Sequence, residues 1–220
     1  MFRRLIALAG LGSVLTLPAQ AFAHPAPYAA EHVNMIYNML FCDDPALFKG
    51  QNGREWFDAD SNPAEVRRIA EDQNEESRVR ALAYNWLRAH HESVPPGKVL
   101  GVIVELPVDE GLDVIAAYAD GRVRYINHSG GMSLFEGVPP QIVAGAKVVL
   151  DSAENAGGLF KAVGQDRAAP TRNVRIFVLT SDGLYIAQGS SWDFSDPKLS
   201  RIENDAIQLM VLVVRTVIGD

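Results

Sequence analysis

Tyr125, His128 and Glu105 are the residues of this chain best suited to pass protons. The first two are a phenol and an imidazole near the end of one apolar run, RVRYINHSG, and the third is the lone carboxylate of another, VLGVIVELP. An acid–base site built from His128, Tyr125 and Glu105 requires the three side chains to converge in one pocket. Asn127, His128 and Ser129 precede Gly130 and Gly131, at a strand end flanked by glycines, where sites are often built. These three are the candidate ligand-binding residues.

Other patterns carry less chemistry. The spacing of Asp58, Asp60 and Asn62 opens like a calcium loop, but Pro63 stands where the turn needs glycine and Ile69 where a bidentate glutamate belongs. The same stretch reads better as a helix start, with Asn62 as N-cap, Pro63 in the first helical position and Glu65 in the first turn. His90 and His91 are adjacent, so on a helix they point about 100° apart and do not easily share a metal. Cys42, the single cysteine, ends a helical pattern beside Asp43 and Asp44. That setting raises a thiol pKa, so a buried apolar role is expected, and no intramolecular disulfide can form. Beyond the first 23 residues there is no G-x-S-x-G elbow, Walker A pattern or dinucleotide fingerprint, and no cofactor is expected.

The elements that would position these residues follow from hydrophobic periodicity. Val33, Ile36, Tyr37 and Leu40 predict a short helix within residues 30–41. An apolar stripe from Val66 to Leu87 predicts helical structure, broken between Glu71 and Ser77 and stopped by Pro95-Pro96-Gly97. Three strand-like runs follow, VLGVIVELP, LDVIAAYADG and RVRYINHSG. The last two meet at Asp120-Gly121, whose easy positive φ suits a two-residue hairpin turn. Val99 to Leu106 is apolar on both faces except at Glu105, as in a strand covered on both sides, and the nearby Pro107 places Glu105 toward a strand end in reach of solvent. Ser133 to Glu136 is a candidate short strand. Gln141 to Glu154 reads as a helix stopped by Gly157-Gly158, and Leu159 to Asn173 as a loop. Val174 to Thr180 and Leu184 to Gly189 form a hairpin around Ser181-Asp182-Gly183. Ser200 and Glu203 make a capping box that opens a last helix, apolar around much of its circumference. The expected fold is α+β, a single antiparallel sheet of about five strands with helices packed against it, preceded by N-terminal helices.

Arg3 and Arg4, the largely apolar run Leu5 to Leu17, and Ala21-Phe22-Ala23 have the layout of a secretory signal cleaved after Ala23. The run is shorter than the ~20 apolar residues a membrane span needs. The organisation expected is a signal peptide at 1–23, a lead-in with one short helix at 24–61, and a single α+β domain at 62–220. The expected location is periplasmic or secreted, with no membrane anchor expected after cleavage. Cleavage puts His24 at the N-terminus, where an amine and an imidazole together can hold copper, provided the fold delivers a second histidine. The 220 residues carry a formal charge of −7, and removal of residues 1–23 leaves 18 basic against 27 acidic side chains. That balance argues against a nucleic-acid binder, which needs clustered Lys and Arg.

FCDDPALF at 41–48 and GLDVIAAYADGRVRYINHSG at 111–130 are similar to segments of a group of uncharacterised bacterial exported proteins, a resemblance that implies a family without implying an activity. The element order over residues 63–218 resembles the profilin-like, longin and roadblock folds, which implies a platform for proteins or small ligands. The leading expectation is a non-catalytic exported binding or protein-interaction module for a protein or small-ligand partner, with homodimerisation through a sheet edge or the last helix. The alternatives are a small periplasmic enzyme using His128, Tyr125 and Glu105, and a copper carrier using His24.

Overall fold

The computed structural model describes residues 24–48, 57–58, 60–109, 111–164, 167–190 and 194–219, so the expected signal segment lies outside the described residues. The N-terminal part holds α1 (Glu31–Met39), a short 3-10 turn (Pro45–Phe48), α2 (Pro63–Glu71) and α3 (Ser77–Ala89). Strands β1 (Val99–Val108), β2 (Gly111–Tyr118), β3 (Val123–Ile126) and β4 (Met132–Phe135) lead to α4 (Pro140–Ala156). The chain finishes with β5 (Lys161–Ala162), β6 (Val174–Thr180), β7 (Gly183–Gly189) and α5 (Pro197–Ile218). The fold is α+β, with one antiparallel sheet in the order β4-β3-β2-β1-β6-β7-β5. Among the described residues it has seven strands rather than about five. Met132–Phe135 pairs fully with β3, and Lys161–Ala162, inside a stretch expected to be a loop, pairs with β7. A two-residue strand is too short to carry a period of its own.

Side chains on the central strands sort by parity to two apolar cores. Val102, Val104, Ile176 and Val178 face α4 and α5 and meet Ile142, Ala146 and Leu209. Ile103, Phe177 and Leu179 face the N-terminal helices and meet Tyr37, Phe41, Leu82 and Leu87. Helices therefore cover both faces of the sheet, and each large side chain buried between layers contributes about 1.5–3 kcal/mol. The segment from His24 to Phe48 is seated on the second core. Tyr28 donates its hydroxyl to the Leu112 carbonyl at 3.0 Å, and the Pro25 carbonyl accepts from Asn38 Nδ2 at 2.8 Å. Among the described residues no helix is long and apolar enough to cross a membrane.

Local signals explain most element ends. Asn62 caps α2 by accepting from the Ala64 N–H at 2.9 Å, with Pro63 at the helix start. The β2–β3 connection is a three-residue loop, Ala119-Asp120-Gly121, closed by Tyr118 N–H to the Arg122 carbonyl at 2.9 Å, where a two-residue turn was expected. Gly121 does take positive φ, at 83°. The extra residue frees Asp120 to accept from the Ser77 N–H at 2.7 Å, tying the loop to α3. Helix α5 starts earlier than its capping box. Asp196 is the N-cap, accepting from the Lys198 N–H at 2.9 Å with Pro197 behind it, and Ser200 turns its hydroxyl to the Phe194 carbonyl. An Asp-Pro start fits both the cap and the first helical position, so it takes precedence over the box three residues on.

Candidate functional site

The pleat separates the three residues expected to share a proton-transfer site. Glu105 pairs with Val114 and Val114 with Ile126, so Glu105 shares a face with Ile126, while Tyr125 points through the other face. Glu105 is also not at a solvent-facing strand end. It is buried, and its Oε2 lies 2.5 Å from Nε of Arg175, the cross-strand neighbour on β6. Its Oε1 accepts from the Tyr37 hydroxyl, and Arg175 Nη1 donates to the carbonyls of Ala168 and Ala169. Burial, then the charge of Glu105, pushes the Tyr37 phenol well above its ordinary range, so it acts as a donor and not as a base. A second buried arginine, Arg167, reaches Asp43 at 3.1 Å and Asn38 at 2.9 Å and lies over the Phe41 ring. These bonds fasten α1 to the sheet and have the character of a structural clamp.

Tyr125 and His128 do come together, on a residue the sequence did not single out. Asp113 accepts from the Tyr125 hydroxyl at 2.9 Å and from the His128 N–H at 2.7 Å, and its Oδ1 is 3.1 Å from His128 Nδ1. A carboxylate oxygen accepts, so Nδ1 is the donor in this bond, and in the neutral imidazole the lone pair is then on Nε2. Burial, then Asp113, raises the Tyr125 phenol, which stays a donor at neutral pH. Asn127 Oδ1 and the Ser129 hydroxyl, from the other candidate ligand residues, bond within the β3–β4 turn. Asn127 Oδ1 accepts from the Ser129 hydroxyl at 2.8 Å and from the Gly131 N–H at 2.7 Å. His24 Nε2 lies 2.9 Å from Asp44 Oδ2, and among the described residues no cluster of three or more His, Cys, Asp or Glu is placed to hold a metal. Cys42 is buried, and burial, relieved in part by Arg78, leaves its thiol pushed up to about 12.

A cavity lies at the opposite end of β1. Val99 and Val178 form its floor, Ala153 of α4 and Phe160 its walls, and Thr180, Asp182 and Tyr185 its polar corner, around a volume of about 480 Å³. That size falls within the range of small-ligand sites, about 300–1,000 Å³. Helix α4 ends at Gly157, with φ of 35°, and Gly158 offers no side chain at the rim, so the helix end does not fill the opening. Thr180 Oγ1 is 2.6 Å from Asp182 Oδ1, and Tyr185 bonds the same carboxylate. Burial pushes Asp182 upward, but hydrogen bonds from Thr180, the Gly97 and Asp182 backbone and Tyr185 prevail, and its carboxyl is held below the usual range. Burial and that neighbouring charge raise the Tyr185 phenol. A second hollow of about 410 Å³, between α4 and the β2–β3 loop, shares Val99 and Glu154 with the first.

The fold and this site define a class: a two-faced α+β sandwich with a mostly apolar cleft at one end of its antiparallel sheet. Comparison with family models, curated proteins and solved structures gives no match to this chain.

Proposed function

We propose that the protein is an exported, non-catalytic binding module that takes a small ligand with an apolar body in the cleft between the end of α4 and strands β1, β6 and β7. The observation that carries this reading is the cavity of about 480 Å³, lined by apolar Val99, Ala153, Phe160 and Val178, with Thr180, Asp182 and Tyr185 at one corner and Glu154 also on its lining. Few polar groups converging on an apolar hollow can orient a ligand, and Thr180, Asp182 and Tyr185 contain no activated nucleophile. The layout of residues 1–23 supports the exported location.

The test is ligand-observed NMR with a set of small aromatic and aliphatic fragments, comparing the natural chain with Gly158→Trp. Gly158 lines the cleft and an added Cβ there meets nothing within 4 Å, so a bulky residue can be placed at the rim without disturbing the core. The expected result is saturation transfer to several fragments, weakened about tenfold or more by the substitution at unchanged melting temperature. Fragments that bind the variant as well as the natural chain, or no binding at all, would overturn the proposal.

A second reading rests on the Asp113–His128 pair. A carboxylate that fixes the Nδ1–H tautomer leaves Nε2 able to accept a proton, as a general base must. Hydrolytic activity abolished by His128→Ala, with folding intact, would favour an enzyme on this second site.

A further inference from the structure

Four arginines are buried among the described residues, Arg80, Arg124, Arg167 and Arg175, and three of them have a carboxylate partner. Arg124 pairs with Glu136, Arg167 with Asp43 and Arg175 with Glu105. Arg80, on α3 and 4% exposed, has no carboxylate at ion-pair distance among the described residues. Its Nε donates to the Ala70 carbonyl in the last turn of α2 at 3.0 Å, and its Nη2 is buried without a partner. A buried cation short of a counter-charge, with a donor left unpaired, is costly to the fold.

The surrounding charges do not close the deficit. Lys98, tied to Ser181 through its backbone N–H and carbonyl at 3.1 and 3.0 Å, brings a second cation from the start of β1. Burial, then the charge of Arg80, holds the Lys98 ammonium below its ordinary range, against the opposing pull of Glu71. The Tyr84 phenol, 1% exposed, feels the same Arg80 and Glu71. Arg67 also acts on Tyr84, but its guanidinium is engaged by Glu92 at 2.8 Å and the Ser93 carbonyl at 2.6 Å. Arg80 and Lys98 set against the exposed Glu71 leave one positive charge over, and the C-terminal dipole of α2 offsets no more than about half of it.

We propose that Arg80 and Lys98 bind a small monovalent oxyanion, of the class of a simple carboxylate, between α3 and the start of β1. Arg80 Nη2 and the Lys98 ammonium then donate charge-assisted hydrogen bonds to it. A single negative charge balances the surplus, whereas a dianion overshoots it and faces Glu71 and the last carbonyls of α2. Helix α3 covers the sheet face opposite α4, so this site is independent of the ligand proposed for the cleft.

Calorimetric melting of the natural chain, Arg80→Met and Lys98→Met in sodium formate, with sodium chloride holding the ionic strength constant, tests the site. Formate at ten times the midpoint of its titration stabilises the folded state roughly elevenfold, which is expected to raise the natural melting temperature by ~3–6 °C over the chloride baseline. Both variants are expected to lose most of that rise. Lys98→Met, at a partly buried surface position, carries the test should Arg80→Met fail to fold. A rise in Lys98→Met as large as in the natural chain would reveal a general salt effect and overturn the proposal. No rise over chloride in the natural chain would overturn it as well, leaving water or a halide to meet the Arg80 nitrogen.

Discussion

Glu105 on β1 and Arg175 on β6 face each other in register across adjacent strands, their charged atoms 2.5 Å apart and their side chains 1% and 2% exposed. The Tyr37 hydroxyl also donates to the carboxylate, and Arg175 Nη1 donates to two carbonyls of the loop before β6, while its Nη2 is buried without a partner. Removing one partner leaves the other charge buried without compensation, so Arg175→Met is expected to destabilise the fold by about 3–5 kcal/mol. The triple variant Arg175→Met, Glu105→Leu, Tyr37→Phe removes both charges and the hydroxyl between them and should recover most of that loss. Urea unfolding of the single and triple variants checks it. A single variant within about 1 kcal/mol of the natural chain would show that the charges are solvated after all.

Cys42 sits in the left-handed region, with φ of 52°, and its thiol is sealed in the N-terminal core. With the thiol pushed up to about 12 by burial, thiolate is scarce at pH 8. Labelling by Ellman's reagent at that pH is expected to be roughly a thousandfold slower than for a free thiol, and to become fast in denaturant. Rapid labelling of the native protein would contradict both the burial and the inert role.

Much of this architecture was legible residue by residue, and what was missed is non-local. The near-continuous apolar run VLGVIVELP announced a strand covered on both sides, and Asn62-Pro63 announced the start of α2. Glu105 and Arg175 are each the lone charge in an apolar strand, yet their partnership depends on β1 pairing with β6, a neighbour distant in the chain. Joining Glu105 to Tyr125 required the β1–β2–β3 register, because a shift of one residue decides the face. Asp113 gave no local sign of receiving both Tyr125 and His128. Asp182 looked like turn chemistry and nothing more, since its second role arises only where the end of α4 leaves a hollow above Val178.

Gly101 lies where β1 slips register against β6, and a Cβ there would come within 2.8 Å of Tyr118 Cδ1. The ring cannot swing aside freely, because it is buried and its hydroxyl donates to the Leu40 carbonyl at 2.8 Å. Gly101→Ala is therefore expected to cost about 1–3 kcal/mol. Paired with Tyr118→Leu, which removes the clashing ring, the two substitutions should cost less together than the sum of their separate effects. Additive costs in a double-mutant cycle would mean that the glycine answers to something other than the tyrosine.

Asp182 should leave a signature in the pH dependence of stability. Its folded-state pKa lies below the unfolded value because Thr180, Tyr185 and the Gly97 and Asp182 backbone donate to the carboxylate, against the upward push of burial. The unfolded chain therefore binds a proton first as the solution is acidified, and folding is favoured by the difference. That contribution is present in full above the unfolded carboxyl pKa, about 3.9, and is lost as pH falls through the lower folded value. Melting curves of the natural chain and Asp182→Asn should differ most from about pH 5 upward and converge below about pH 3. A gap that stays constant across that window would show that Asp182 contributes through shape and neutral hydrogen bonding alone, and the charged corner proposed for the cleft would lose its physical basis.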